Sequence, residues 1–160
     1  MGFGGRIKRN KADRHLSNCV RKAAQWKCQR CEKDYSEKPQ GLQCSHFLSR
    51  MHYGTRYDSR QLALCAYCHS WVEGHPVDHI NLWKSIHGGD DADKALEGMV
   101  ELAACKGREQ YARNNIDAIS DHYRIESKRL DEELAKARKG KEAELEIRNY
   151  IARPKTFDNT

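Results

Sequence analysis

Two Cys-x-x-Cys pairs limit what this chain can fold into more than any other feature: Cys28-Gln-Arg-Cys31 and Cys65-Ala-Tyr-Cys68, the second followed at once by His69. Each pair offers two sulfurs from one tight turn, so four thiolates at this spacing suit a single tetrahedral zinc. The segment between them has only to return the chain, and it carries His46 within Cys44-Ser-His-Phe. Cys19, Cys44 and Cys105 bring the cysteines to an odd total of seven. That argues against a disulfide framework and for a reducing compartment with a bound metal. A metal would also answer a shortage of core, because 38% hydrophobic and 32% charged residues is a lean mixture for a chain of 160 residues.

The formal net charge of +6 is unevenly spread. Arg6, Lys8, Arg9, Lys11, Arg14, Arg21, Lys22, Lys27, Arg30 and Lys33 crowd the N-terminal stretch, opposed by Asp13 and Glu32 alone. A basic arm ahead of a zinc module suits a polyanionic partner, and it equally describes a solvated tail. No apolar run approaches the roughly 20 residues of a membrane span, and the N-terminus lacks the apolar centre of a signal peptide. The expected location is the cytoplasm, or the nucleus of a host that has one.

Hydrophobic spacing over 12–26, with Leu16, Cys19, Val20, Ala23 and Ala24 in phase, predicts an amphipathic helix capped by Asn10 or Asp13. Pro39 and Gly41 mark a loop; Leu42 to Leu48 then predicts a strand with Cys44, His46 and Leu48 on one face, and Arg56 to Leu64 a return strand. A helix follows from residue 68, stopped near Gly74 and Pro76. Ile80, Leu82, Trp83 and Ile86 predict a packed helix ending at Gly88-Gly89, and Asp90-Asp91-Ala-Asp93 caps the next one, through about Ala104. From about Arg108 to about Ile151 the pattern is one long charged helix, broken or bent at Gly140. Its imperfect seam of Ile116, Ile119, Tyr123, Leu130 and Leu134 must pack on a second copy or back on the chain itself.

A Cys pair, a strand bearing His46, a return strand, a second Cys pair and a helix opening at His69 make an order that resembles the HNH, or ββα-metal, endonuclease family. Within it the chain is most similar to the phage NinG/Rap recombination proteins. The likeness rests on His46-Phe-Leu-Ser-Arg50, Thr55-Arg-Tyr-Asp58, Gln61 and Cys65-x-x-Cys68-His69. The resemblance implies an α+β fold, with a zinc-stabilised ββα-metal core over 28–88 between a basic arm and helix over 1–27 and a helical extension over 89–160. It implies that His46 is the general base, that His69 ligates a catalytic divalent cation, and that Gln61 takes the place of the Asn that tethers the loop bearing the base. Ser45 stands where the family usually carries Asp or His as the other cation ligand. The implied activity is metal-dependent DNA hydrolysis at branched, Holliday-junction-like intermediates, in the cytoplasm of a phage host.

Phosphodiester hydrolysis needs an activated water, charge neutralisation and help for the leaving oxygen. A neutral imidazole at His46 can take the water's proton, while magnesium or manganese at His69 would serve the phosphate. Asp58 either completes the cation's shell or pairs with Arg56 or Arg60. His75 reaches the same ion only if the helix ends near Gly74. Arg50, Arg56 and Arg60 are candidates to clamp phosphates, and Tyr53 and Tyr57 either stack on sugar or base or pack the hairpin. Three alternatives stay open: a zinc-containing DNA-binding protein without catalysis, an HNH nuclease of phage packaging or of restriction, and a homodimer formed through the long helix.

Overall fold

A computed structural model describes residues 7–150. Helix α1 (Lys11–Ala23) opens with a reciprocal cap: the Asn10 side chain accepts from the Asp13 N–H (3.0 Å), and the Asp13 carboxylate accepts from the Asn10 N–H (2.9 Å). The chain then turns through the first cysteine pair, where Cys28 N–H donates to Lys33 O and Glu32 N–H to Cys28 O. A single turn of 3₁₀ helix, Pro39–Gly41, leads into β1 (Leu42–Ser45). β1 pairs antiparallel with β2 (Leu62–Cys65), Leu42 opposite Cys65 and Ser45 opposite Leu62. Between them lies α2 (Tyr53–Arg56), and helices α3 (Ala66–Glu73), α4 (Pro76–His87), α5 (Ala92–Ala104), α6 (Lys106–Asn114) and α7 (Ile116–Arg138) follow. The fold is therefore α+β: mostly helical, with one small antiparallel sheet. None of the described helices is long and apolar enough to cross a membrane.

One hydrophobic cluster joins every part of the chain, from Leu16 and Cys19 of α1 through Leu42, Leu62 and Leu64 of the sheet to Trp83, Met99, Ile119, Tyr123 and Leu130. Each such fully buried large side chain contributes about 1.5–3 kcal/mol by leaving water. The seam of α7 is filled within the chain. Ile119, Tyr123, Leu130 and Leu134 are buried, and α1 is the element packed most extensively on α7. The polar interruption in that seam is satisfied as well. Glu126 accepts from Arg129, and Lys22 of α1 donates to both Ser127 oxygens, at 3.1 and 2.8 Å.

Gly54 shows how closely α2 approaches α5, since a Cβ there would drive into the Leu102 carbonyl. At the far end Gly140, at φ +67, closes α7 with Gly140 N–H to Ala137 O and Lys141 N–H to Lys136 O, both 3.0 Å.

The structure departs from the sequence pattern in three places. β1 ends at Ser45, so His46 starts a loop instead of lying inside a strand. The return strand covers Leu62–Cys65 alone: Arg56 ends α2, and residues 57–61 form a turn ahead of the strand. The long helix expected to reach about Ile151 is two helices, broken at Asn115, with residues 141–150 running back along α7 without regular structure. Ile151 itself lies outside the described residues. After His46, Gln61 accepts from the Phe47 N–H, and Arg56 is drawn to Asp13 of α1; such contacts between distant residues are not carried by local propensity.

Candidate functional site

The two cysteine turns meet. The ligand atoms of Cys28, Cys31, Cys65 and Cys68 all lie within 4.8 Å of one another. Sulfurs around a tetrahedral zinc with bonds of about 2.3 Å sit about 3.8 Å apart. The Cys31 and Cys65 sulfurs are 3.9 Å apart, so the donor set fits such an ion. Backbone donors already face the cluster: Cys65 N–H points at the Cys28 sulfur (3.3 Å) and Cys68 N–H at the Cys65 sulfur (3.5 Å). Cys65 is also the N-cap of α3. Burial opposes ionisation of its thiol, but the Cys68 N–H and the Tyr35 hydroxyl prevail and draw it down to about 7. Arg30 covers the outside, its guanidinium 3.5 Å from the Cys68 sulfur and 3.6 Å above the Trp71 ring. Four cysteines this close can hold a structural metal such as zinc.

Because α3 starts at the second pair, the metal turn fixes where His69 points. His69 and His46 line one cleft of about 750 Å³ between α1, β1 and α3. The His69 Nδ1 lies 2.7 Å from Gln43 Oε1, so the ring donates there and keeps its lone pair on Nε2. Nε2 faces Glu73, one turn along the helix, at 3.9 Å. Glu73 lines the same cleft, as do Arg9, Arg21 and Arg50. Arg21 is fixed by Ser17 O, Pro39 O and Leu42 O, which ties α1 to the turn ahead of β1.

Burial pushes the pKa of His46 down to about 4, so at neutral pH it is an uncharged imidazole. Its Nε2 is buried and has no hydrogen-bond partner among the described residues. Asp13 and Arg56, whose charges reach His46, form an enclosed ion pair at 2.6 and 3.0 Å, each side chain 1% exposed. Burial would raise the carboxyl of Asp13, but the Arg56 hydrogen bond and the Asn10 N–H hold it below its usual value.

The loop after His46 is tied at both ends by Gln61. Its Oε1 accepts from Phe47 N–H (3.0 Å), and its Nε2 donates to the carbonyls of Thr55 (3.1 Å) and Asp58 (3.0 Å). Phe47 is anchored by its ring as well, stacked on Trp83 at 4.9 Å. Trp83 Nε1 donates to Arg60 O, and the His87 ring meets Gln61 O at 2.9 Å, so α4 braces the same loop.

The structure does not bring the remaining candidates into the cleft. Asp58 is buried between Arg60, at 2.9 and 3.0 Å, and Arg108, at 3.6 Å. His75 does follow a helix that stops at Gly74, yet it stacks on Trp71 at 4.0 Å with its Nδ1 on Trp71 O. Arg56 and Arg60 are held by Asp13 and Asp58. Tyr57 is buried and Tyr53 lies beneath Arg113, 3.9 Å from the ring centre. His52, also between the cysteine pairs, is exposed at the N-cap of α2. Ser45 is buried, its hydroxyl without a partner among the described residues.

Glu73, Gln43, Arg9 and Arg21 line the cleft but are absent from the individual site candidates. Glu73 had a signal, the i, i+4 spacing from His69. Arg9 and Arg21 had only the general signal of the basic N-terminal stretch, and Gln43 had none, since only the docking of α3 and α1 on β1 brings them there. Comparison with family models, with curated proteins and with solved structures finds no match to this chain.

Proposed function

We propose that this protein is a metal-dependent DNA endonuclease of the HNH type, acting on branched recombination intermediates. The observation that carries the proposal is the shared cleft. It holds a neutral imidazole whose buried Nε2 has no hydrogen-bond partner among the described residues, a second imidazole beside a carboxylate, and three arginines, and the second imidazole, His69, follows Cys68 of the four-cysteine cluster directly in the chain.

Each group then has a role. His46 takes the proton from the attacking water; an entering phosphodiester raises its depressed pKa by adding negative charge nearby. Arg9, Arg21 and Arg50 seat the phosphates. Gln61, through Phe47, holds the base in place. His69 Nε2 and the Glu73 carboxylate are the donors for magnesium or manganese, and this mixed nitrogen and oxygen pair suits manganese well. When bound, such an ion supplies charge neutralisation at the phosphate and at the leaving 3′ oxygen. Glu73 thereby answers the lack of a carboxylate at Ser45. Zinc in the four cysteines has no part in the chemistry and holds α3 against the first turn.

Paired cuts in a four-way junction suit a two-fold dimer. With the seam of α7 covered by α1, such a dimer must use another surface, for which the exposed Ile125 of α7 is available.

Ser45 supports a second reading, a zinc-containing DNA-binding protein without catalysis. Incubation with plasmid and with a synthetic four-way junction, in manganese, magnesium or EDTA, separates the two. The nuclease nicks both in metal, is silent in EDTA and prefers the junction. Binding to both substrates without metal-dependent nicking would establish the binder.

A further inference from the structure

We propose that residues 141–150 latch the loop that carries His46, with Asn149 as the positioning residue; the kinetic part of this rests on the nuclease reading. The turn at Gly140 sends the chain back along α7, and the returning segment is gripped almost entirely by side chains. Glu144 N–H donates to Glu133 (2.9 Å), Arg129 donates to Glu144 O (3.0 Å), and Arg148 N–H donates to Glu126 (3.1 Å). These contacts deliver Asn149 to the loop ahead of β2.

There both ends of the Asn149 amide are engaged. Its Oδ1 accepts from Ser59 N–H (3.0 Å) and lies 2.9 Å from the Tyr123 hydroxyl, while its Nδ2 reaches the Asp58 carboxylate at 3.4 Å. Asp58 O accepts from Gln61 Nε2 (3.0 Å), and Gln61 Oε1 accepts from the N–H of Phe47 (3.0 Å), the residue after His46. A path of hydrogen bonds thus runs from Asn149 to the backbone of Phe47, the residue after the base. Packing alone would be served by an apolar side chain at 149. An amide with its donor and its acceptor on neighbouring residues of one loop fixes that loop's position and orientation.

His69 stands on α3 and does not move with this loop. Releasing the latch therefore shifts His46, and with it Arg50 of the same loop, relative to His69 without disturbing the cysteine cluster or Arg9 and Arg21 on the other side of the cleft. A displacement well under 1 Å at a reacting group lowers turnover by about tenfold.

The test compares wild type, Asn149→Ala and, as a control on an exposed side chain of the same segment, Glu142→Gln. Zinc content, junction affinity, single-turnover cleavage in manganese and amide exchange at Phe47 are measured on each. Asn149→Ala is expected to keep its zinc and its affinity within twofold, to exchange Phe47 N–H about tenfold faster, and to cleave about tenfold more slowly. Glu142→Gln should match wild type throughout. Unchanged exchange at Phe47 overturns the latch whatever happens to the rate, and so does loss of zinc from Asn149→Ala. Should wild type fail to cleave while Asn149→Ala still speeds exchange at Phe47, the nuclease reading falls and the latch stands.

Discussion

Removing Asp13 should be among the most damaging single changes in the protein, and the structure says by how much. Its carboxylate meets Arg56 through two hydrogen bonds, with both side chains 1% exposed, and also closes the cap of α1 on the Asn10 N–H. Asp13→Ala leaves the guanidinium buried without its counter-charge, at about 3–5 kcal/mol. Loss of the capping contact adds about 1 kcal/mol. The sum, about 4–6 kcal/mol, is comparable to the whole stability of a marginal domain. Asp13→Leu with Arg56→Met, which removes both charges and keeps volume, should recover to within about 2 kcal/mol of wild type. The effect also depends on pH. The folded pKa of Asp13 lies below its ordinary value of 3.8, so the stabilisation is present above the unfolded pKa and fades as pH falls through the folded one. Urea unfolding of the zinc-loaded proteins at pH 7 measures all of this. A cost below about 1 kcal/mol for Asp13→Ala, or a double variant as unstable as the single one, would refute the claim that this pair is enclosed and mutually dependent.

Cys28→Ser should lose its zinc and unfold the core, because binding energy of about 10–16 kcal/mol for a structural zinc is also folding energy; metal analysis and circular dichroism read both. Gly54→Ala should destabilise by about 1–3 kcal/mol, since the obstacle to its Cβ is the Leu102 backbone and cannot rotate away; thermal unfolding measures it. The His46 ring should titrate near 4 by NMR, and stability should fall on acidification between about 6.5 and about 4, as the unfolded chain takes up the proton that the folded one refuses. A midpoint near 6.5 would mean that His46 is not buried.

What the sequence shows of this fold is what local rules govern. The cysteine spacing marked the metal turns, Asn10 and Asp13 the start of α1, Gly88 and Asp91 the join between α4 and α5, and Gly140 the end of α7. Hidden were features set by contacts between distant residues. The strand expected to start at Arg56 starts at Leu62 instead, while Arg56 ends α2, drawn inward by Asp13, and Gly54 lets α5 come close. Asn115 interrupts a pattern that reads as one helix. In the site, His46 and His69 stand out by type and spacing, whereas Gln43, Arg9 and Asn149 act through elements far away in the chain, and no periodicity marks them. Arg56 misled for the same reason: a surface-rich residue type turned out to be enclosed.

The central claim is that one cleft divides the work, His46 acting on water and His69 with Glu73 serving the cation. Single-turnover cleavage of a four-way junction in manganese, comparing wild type with His46→Ala at matched zinc content and junction affinity, tests it most directly. The account expects wild type to cut and His46→Ala to lose at least about a hundredfold in rate, the weight of a general base. Cleavage by His46→Ala at the wild-type rate would contradict it.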